Sequence, residues 1–250
     1  MHVDPLTRTA SAEPGALWSD VIAAAAPYGL APLSGTPSVG VTGYTLGGGA
    51  GWLTRLYGYA ADSLLAAELV TADGELLTAD ADSHPDLFWA LRGGSGNFGV
   101  ATRLDFRLYP VERVAAGMTM HAFDRAGDTL AVYREWAMKQ PDTLNTAVIL
   151  IRMPGGPPML ALRVVSVEDA GRTLAPLLEA AGEPISGGLA EMTFARAPRP
   201  PADGAEHAVR AVRRADRRRD RRAARLAGRR HRGAALGRRH ARARRADRTS

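Results

Sequence analysis

Val39-Gly40-Val41-Thr42-Gly43-Tyr44-Thr45-Leu46-Gly47-Gly48-Gly49-Ala50-Gly51-Trp52 mixes apolar residues with six glycines. Glycine has no Cβ, so backbone N–H groups in such a run can approach a phosphate or a flat ring closely. The same composition also suits a tight turn set in a buried strand. From the glycines alone both readings stay open.

The flanking segments carry regular patterns. Upstream, residues 15–26 read as a helix with Leu17, Trp18, Val21 and Ile22 on one face. Pro27 stops it and Gly29 provides the exit. Downstream, Leu65–Thr71 and Glu75–Thr78 flank Asp73-Gly74, a hairpin signal. His84-Pro85-Asp86 opens a short helix through Leu91, which Gly93 ends. A second glycine cluster, Gly93 to Gly99, leads into a strand. There Val100, Thr102, Leu104, Phe106 and Leu108 alternate with Arg103, Asp105 and Arg107, which predicts one wet face.

Gly94-Ser95-Gly96-Asn97-Phe98-Gly99 matches G-x-G-x-x-G, but a dinucleotide site needs a strand before the pattern and a helix after it. Here the order is reversed, so a Rossmann reading is rejected. A kinase glycine loop and a P-loop also fail, since residues 1–200 hold one lysine, Lys139, and it follows no glycine run.

Pro110 reads as a boundary. Beyond it a helix is expected over 125–140. Strands are expected over 145–153 and 159–166, joined by a Pro154–Pro158 turn. A second helix is expected over 168–181, interrupted or shifted by Pro176. No repeat of fixed period is present.

Composition excludes several classes. The chain has 250 residues, 46% hydrophobic and 23% charged, ordinary for a globular protein. No cysteine means no disulfide, no thiolate metal site and no cysteine nucleophile. No 18-residue apolar run exists, so no membrane partner is expected. Met1-His2-Val3-Asp4-Pro5 lacks a charged-then-apolar leader, so the chain as written is expected in the cytoplasm. No metal ligand set stands out.

The longer run Pro37-Ser38-Val39-Gly40-Val41-Thr42-Gly43-Tyr44-Thr45-Leu46-Gly47-Gly48-Gly49 resembles the flavin-binding segment of the berberine-bridge-enzyme-like, FAD-linked oxidases. These share the FAD-binding domain of the vanillyl-alcohol-oxidase (PCMH) type. Three further blocks resemble the same family in the same order. They are Tyr57-Gly58 with Asp62, Val70–Gly74, and Pro85–Val100. The likeness continues, more weakly, to about residue 197.

The resemblance implies an α+β fold: a partial PCMH-type FAD-binding domain over 1–110, then part of an antiparallel-sheet substrate domain over 111–198. It implies FAD as cofactor and a small-molecule substrate. It also implies hydride transfer from a substrate C–H bond to flavin N5, with oxygen as the acceptor. By motif position Gly40, Val41, Gly43, Tyr44, Gly47, Gly48, Gly49, Gly51 and Trp52 line the cofactor, with Gly99 and Val100 near its adenosine end. Trp52 and Tyr44 are equally suited to core roles, and Asp62 equally to a turn carboxylate. A different enzyme class sharing this FAD fold, such as a cell-wall reductase, is disfavoured by the long Phe88–Gly99 block.

The chain also departs from the family. Thr36 stands where doubly attached members have a cysteine, so that linkage is impossible. The family's Arg-Ser-Gly-Gly-His attachment loop has no counterpart, and the opening residues resemble the middle of the FAD domain. The family's C-terminal half, which carries its catalytic base, has no counterpart either. No catalytic residue is therefore named, and His84 and His121 read as structural or exposed.

Residues 201–250 hold 18 arginines against 5 acids, whereas residues 1–200 hold 14 basic and 21 acidic residues. The tail has 13 alanines, no lysine and no aromatic residue, so it cannot build a core. Such a composition results when GC-rich codons are read out of frame. One possible set of codons for Arg232 to His240, shifted by one base, gives a string resembling the family's substrate domain. Residues 199–250 thus read as disordered or out-of-frame, the shift falling near Ala195 to Glu206. The alternative is an inactive product whose basic tail binds nucleic acid non-specifically, by charge. No specific nucleic-acid site is expected, and nothing in the sequence sets the oligomeric state.

Overall fold

The structure, a computed structural model, describes residues 1–197. The tail readings lie outside the described residues.

Two antiparallel sheets form the frame. The first has strand order β1 (His2–Asp4), β2 (Thr9–Ala12), β5 (Val100–Arg107), β3 (Leu64–Val70), β4 (Leu76–Asp80). The second has the order β7 (Leu144–Arg152), β8 (Pro158–Ser166), β6 (Arg113–Ala122), β9 (Ser186–Thr193). The chain changes sheet at Pro110, yet the described residues form one compact unit. The larger core joins Trp18, Leu69, Leu104 and Phe106 to Val114, Ala116 and Val165 of the second sheet. Two smaller cores lie under α5 (Ala126–Trp136) and α6 (Gly171–Ala181).

Helix α1 (Trp18–Ala25) buries Trp18, Val21, Ile22 and Ala25. Leu17 is its N-cap rather than a member of that face, and the Asp20 carboxylate accepts the Leu17 N–H at 2.9 Å. That satisfies one orphan donor and places negative charge at the positive end of the helix. Gly29, at φ 66°, closes the exit.

The Asp73-Gly74 hairpin forms as β3 and β4, and α4 (Pro85–Leu91) ends at Gly93, φ 122°. The Pro154–Pro158 turn joins β7 to β8. Helix α6 runs through Pro176 without a break. Buried Leu174 and Leu177 flank the proline and anchor the helix despite the lost hydrogen bond.

Two expectations change. The alternation in β5 fails at its start, where Val100 is 71% exposed and Ala101 is buried. Glu68 pairs with Arg103 and Leu69 with Ala101, so the register slips by one residue at Thr102. Such a slip turns the following side chains to the other face. The glycine run from Val39 contains no strand. It forms a short helix, α2 (Val41–Leu46), capped by Gly40.

Candidate functional site

Helix α2 is pinned at both ends. The Val41 N–H donates to Ala16 O at 3.0 Å. At the other end the Gly93 and Ser95 N–H groups donate to Leu46 O at 3.0 and 2.9 Å, so the two glycine clusters meet there. The run then turns through Gly48 (φ 100°) and Gly49 (φ 74°), whose carbonyls accept the Ala61 and Ala60 N–H groups. Only glycine adopts that conformation twice in succession at low cost.

The predicted cofactor residues divide into two sets. At Gly43 and Gly48 an added Cβ would meet nothing within 4 Å, and at Gly40 only Ala16 O at 4.0 Å. These present open backbone. At Gly47 a Cβ would crowd Gly43 O at 3.1 Å, and at Gly49 the Tyr44 ring. At Gly51 it would strike the Ser34 carbonyl and the Tyr44 hydroxyl. Gly35, Gly49 and Gly51 thus form a socket for Tyr44. Gly99 sits against the Val70 carbonyl at the start of β5, beside exposed Val100, further along the chain from the Leu46 junction.

Tyr44 also packs edge-on against Trp18, ring centres 5.6 Å apart. Burial pushes its hydroxyl well above the ordinary phenol range. Trp52 is 5% exposed, and its indole N–H donates to Gly35 O. Asp62 accepts the Tyr59 N–H at 2.8 Å, the turn role. Asp62→Ala is expected to cost about 1 kcal/mol, as loss of a cap does; a thermal-unfolding shift measures it.

Among the described residues, Ser34 Oγ, Thr42 Oγ1, Tyr44 OH and Thr45 Oγ1 are buried without a hydrogen-bond partner. Four such hydroxyls around one short helix are unusual, since buried polar groups are normally paired. Their oxygens are closed off, so the open backbone at Gly40, Gly43 and Gly48 is the part of the run that fits a flat ring laid against α2. His84, held by Thr78 O at 3.1 Å, and His121, buried between Gly182 O and Thr119 Oγ1, are structural. Among the described residues no three His, Asp or Glu side chains group as metal ligands. None of the described helices is long and apolar enough to cross a membrane.

The second sheet adds residues that sequence reasoning missed. Asn145 of β7 donates to Gly51 O at 3.0 Å. Arg163 of β8 lies over the Trp52 ring, 4.7 Å from its centre. Arg55, in the short helix α3 (Thr54–Tyr57), reaches back to Gln140 O at 2.7 Å. Arg163 had a legible signal: it is the one charge in the apolar run Met159–Val167.

Residues 1–80 match the family described as FAD binding domain. The chain is 33% identical over 199 residues to the FAD-linked oxidoreductase pgmH of Aspergillus terreus, covering 76% of this chain and 40% of that one. Solved 6-hydroxy-D-nicotine oxidase from Arthrobacter nicotinovorans superposes with TM-score 0.70 at 30% identity, over 78% of this chain and 44% of that one. The berberine-bridge-like protein 28 of Arabidopsis thaliana gives TM-score 0.67 at 26% identity, over 80% and 44%. Residues 1–80 carry an FAD binding domain, and the chain is similar to berberine-bridge-like, FAD-linked oxidoreductases. The α+β reading and the FAD assignment made from the glycine blocks hold for this family. The chain spans less than half the length of these relatives.

Proposed function

We propose that the chain supplies the flavin-contacting wall, and part of the substrate lobe, of an FAD-dependent oxidase acting on a small organic molecule. The open backbone at Gly40, Gly43 and Gly48 carries this reading. When bound, FAD would supply the hydride acceptor at N5, with oxygen as the final acceptor. The open backbone of Gly40, Gly43 and Gly48 would hold it, with buried Val41 fixing the start of α2 beneath it. Gly47, Gly49 and Gly51 would act indirectly by shaping the turn and seating Tyr44. Tyr44 and Trp52 would keep water from the inner side, and Gly99 and Val100 would lie toward the adenosine end. The related nicotine oxidase acts on an amine, which keeps amines among the substrate candidates.

FAD titration followed by thermal unfolding tests the reading. At 100 times its Kd, FAD should add about 2.7 kcal/mol of stability. Thr45→Val gives a sharper test. In flavin-free protein it removes a buried unpaired hydroxyl and should be neutral or stabilising by about 1 kcal/mol. FAD affinity should hold in the same variant, since the Thr45 oxygen is closed off from the open glycine face. No shift with excess FAD would end the proposal.

A further inference from the structure

The face of the second sheet turned toward Trp52 carries one charge. Alternate residues of β8 point opposite ways. Leu160, Leu162 and Val164 enter the cores under α5 and α6, whereas Val165 joins the larger core and Arg163 reaches Trp52 on the same side. In register with Arg163 stand Ala147, Met118 and, across Met118, Gly188. The next row holds Ile149, Ala161 and Met120. Met118, Met120 and Ile149 are half-buried. The result is a guanidinium at the end of an apolar floor, with small residues to either side.

Among the described residues no carboxylate lies within 4 Å of Arg163. One face of the guanidinium is covered by indole, which leaves its in-plane N–H edge as the available donor fork. That fork matches a carboxylate in geometry and charge. Burial works against the charge of Arg163. A bound anion would offset that burial cost.

We propose that Arg163 is the substrate-recognising cation of this sheet face and that the substrate is a small organic acid. Its carboxylate sits on the guanidinium and its apolar body lies along Met118, Met120 and Ile149. The proposal rests on the oxidase reading above and narrows its substrate class.

Calorimetric titration of the full chain with benzoate, and with neutral benzamide of the same shape, tests it. Benzoate should bind about tenfold tighter than benzamide, as a charged hydrogen bond requires. Arg163→Gln should abolish that preference. Arg163→Lys, which keeps the charge and the stem, should retain part of it and guards against a folding defect. Equal binding of the two probes by the wild type, or a preference that survives Arg163→Gln, overturns the proposal. FAD titrated into both proteins, read by flavin fluorescence, separates cofactor from substrate. Unchanged FAD affinity in Arg163→Gln with lost benzoate preference supports the proposal. A tenfold loss of FAD affinity without any benzoate preference in the wild type assigns Arg163 to the cofactor and overturns it. A wild type that binds no FAD defeats the oxidase reading alone, and the benzoate comparison still decides for Arg163.

Discussion

Trp18→Ala is expected to destabilise the protein by about 3–5 kcal/mol, the range for emptying a large aromatic site in a core. Trp18 is 1% exposed and meets Tyr44 and Phe106 edge-on, each at 5.6 Å. It ties α1 to β5 on one side and to α2 on the other. A domain stable by about 5–15 kcal/mol loses much of its margin with such a change. Tyr44 would gain room to leave its glycine socket, so FAD affinity should fall as well. The indole N–H of Trp18 is buried without a partner. Trp18→Phe keeps most of the ring and removes that donor, so it should cost far less, about 1 kcal/mol. Urea unfolding of both variants measures the difference. An alanine variant within about 1 kcal/mol of the wild type would mean that the core does not depend on this ring.

Gly51→Ala should cost about 1–3 kcal/mol, as overpacking does, and should abolish FAD binding. The added methyl meets the Ser34 carbonyl and the Tyr44 hydroxyl, and backbone cannot yield as a flexible side chain does. Gly51 also accepts from Asn145, so its displacement would loosen the seam with the second sheet. Trp52, next in sequence, would move away from Arg163. Gly43→Ala is the matched control. It meets nothing within 4 Å and lies in α2, where alanine is favoured over glycine by about 1 kcal/mol. It should stabilise the flavin-free protein yet weaken FAD binding by obstructing the open backbone. Circular dichroism melts with and without FAD read both changes. Equal FAD affinity in the wild type and both variants would remove the glycine run from the cofactor site.

Strands β6 and β9 show where sequence reading stops. Arg113–Ala122 is rich in alanine, glycine and methionine, and Ser186–Thr193 has Gly187-Gly188 near its start. Neither carries the β-branched and aromatic content that marks a strand. Their pairing depends on close backbone approach: a Cβ at Gly117 would strike Gly188 O, and one at Gly187 would strike Met118 O. Small residues are therefore a requirement of this pairing, although they erase the local signal. The β1–β2 hairpin escaped notice for a related reason, since β1 has three residues and β2 has four. Such short segments show no period.

Local order was set by sequence alone. The hairpin at Asp73-Gly74, the stop at Pro27 and Gly29, and the helix opened by His84-Pro85 each follow from backbone dihedral limits within a few residues. The ordered glycine and Phe88–Gly99 blocks likewise carried the family and its FAD. Tertiary structure decided the rest. It made the glycine run a helix, because both ends of α2 bond to distant segments. It turned Val100 outward through a register slip against β3. It also placed Arg163 over Trp52, a contact between residues 111 positions apart that no local pattern encodes. The glycine run is local and legible; the seam where Arg163 meets Trp52 is assembled from two sheets, and only their packing defines it.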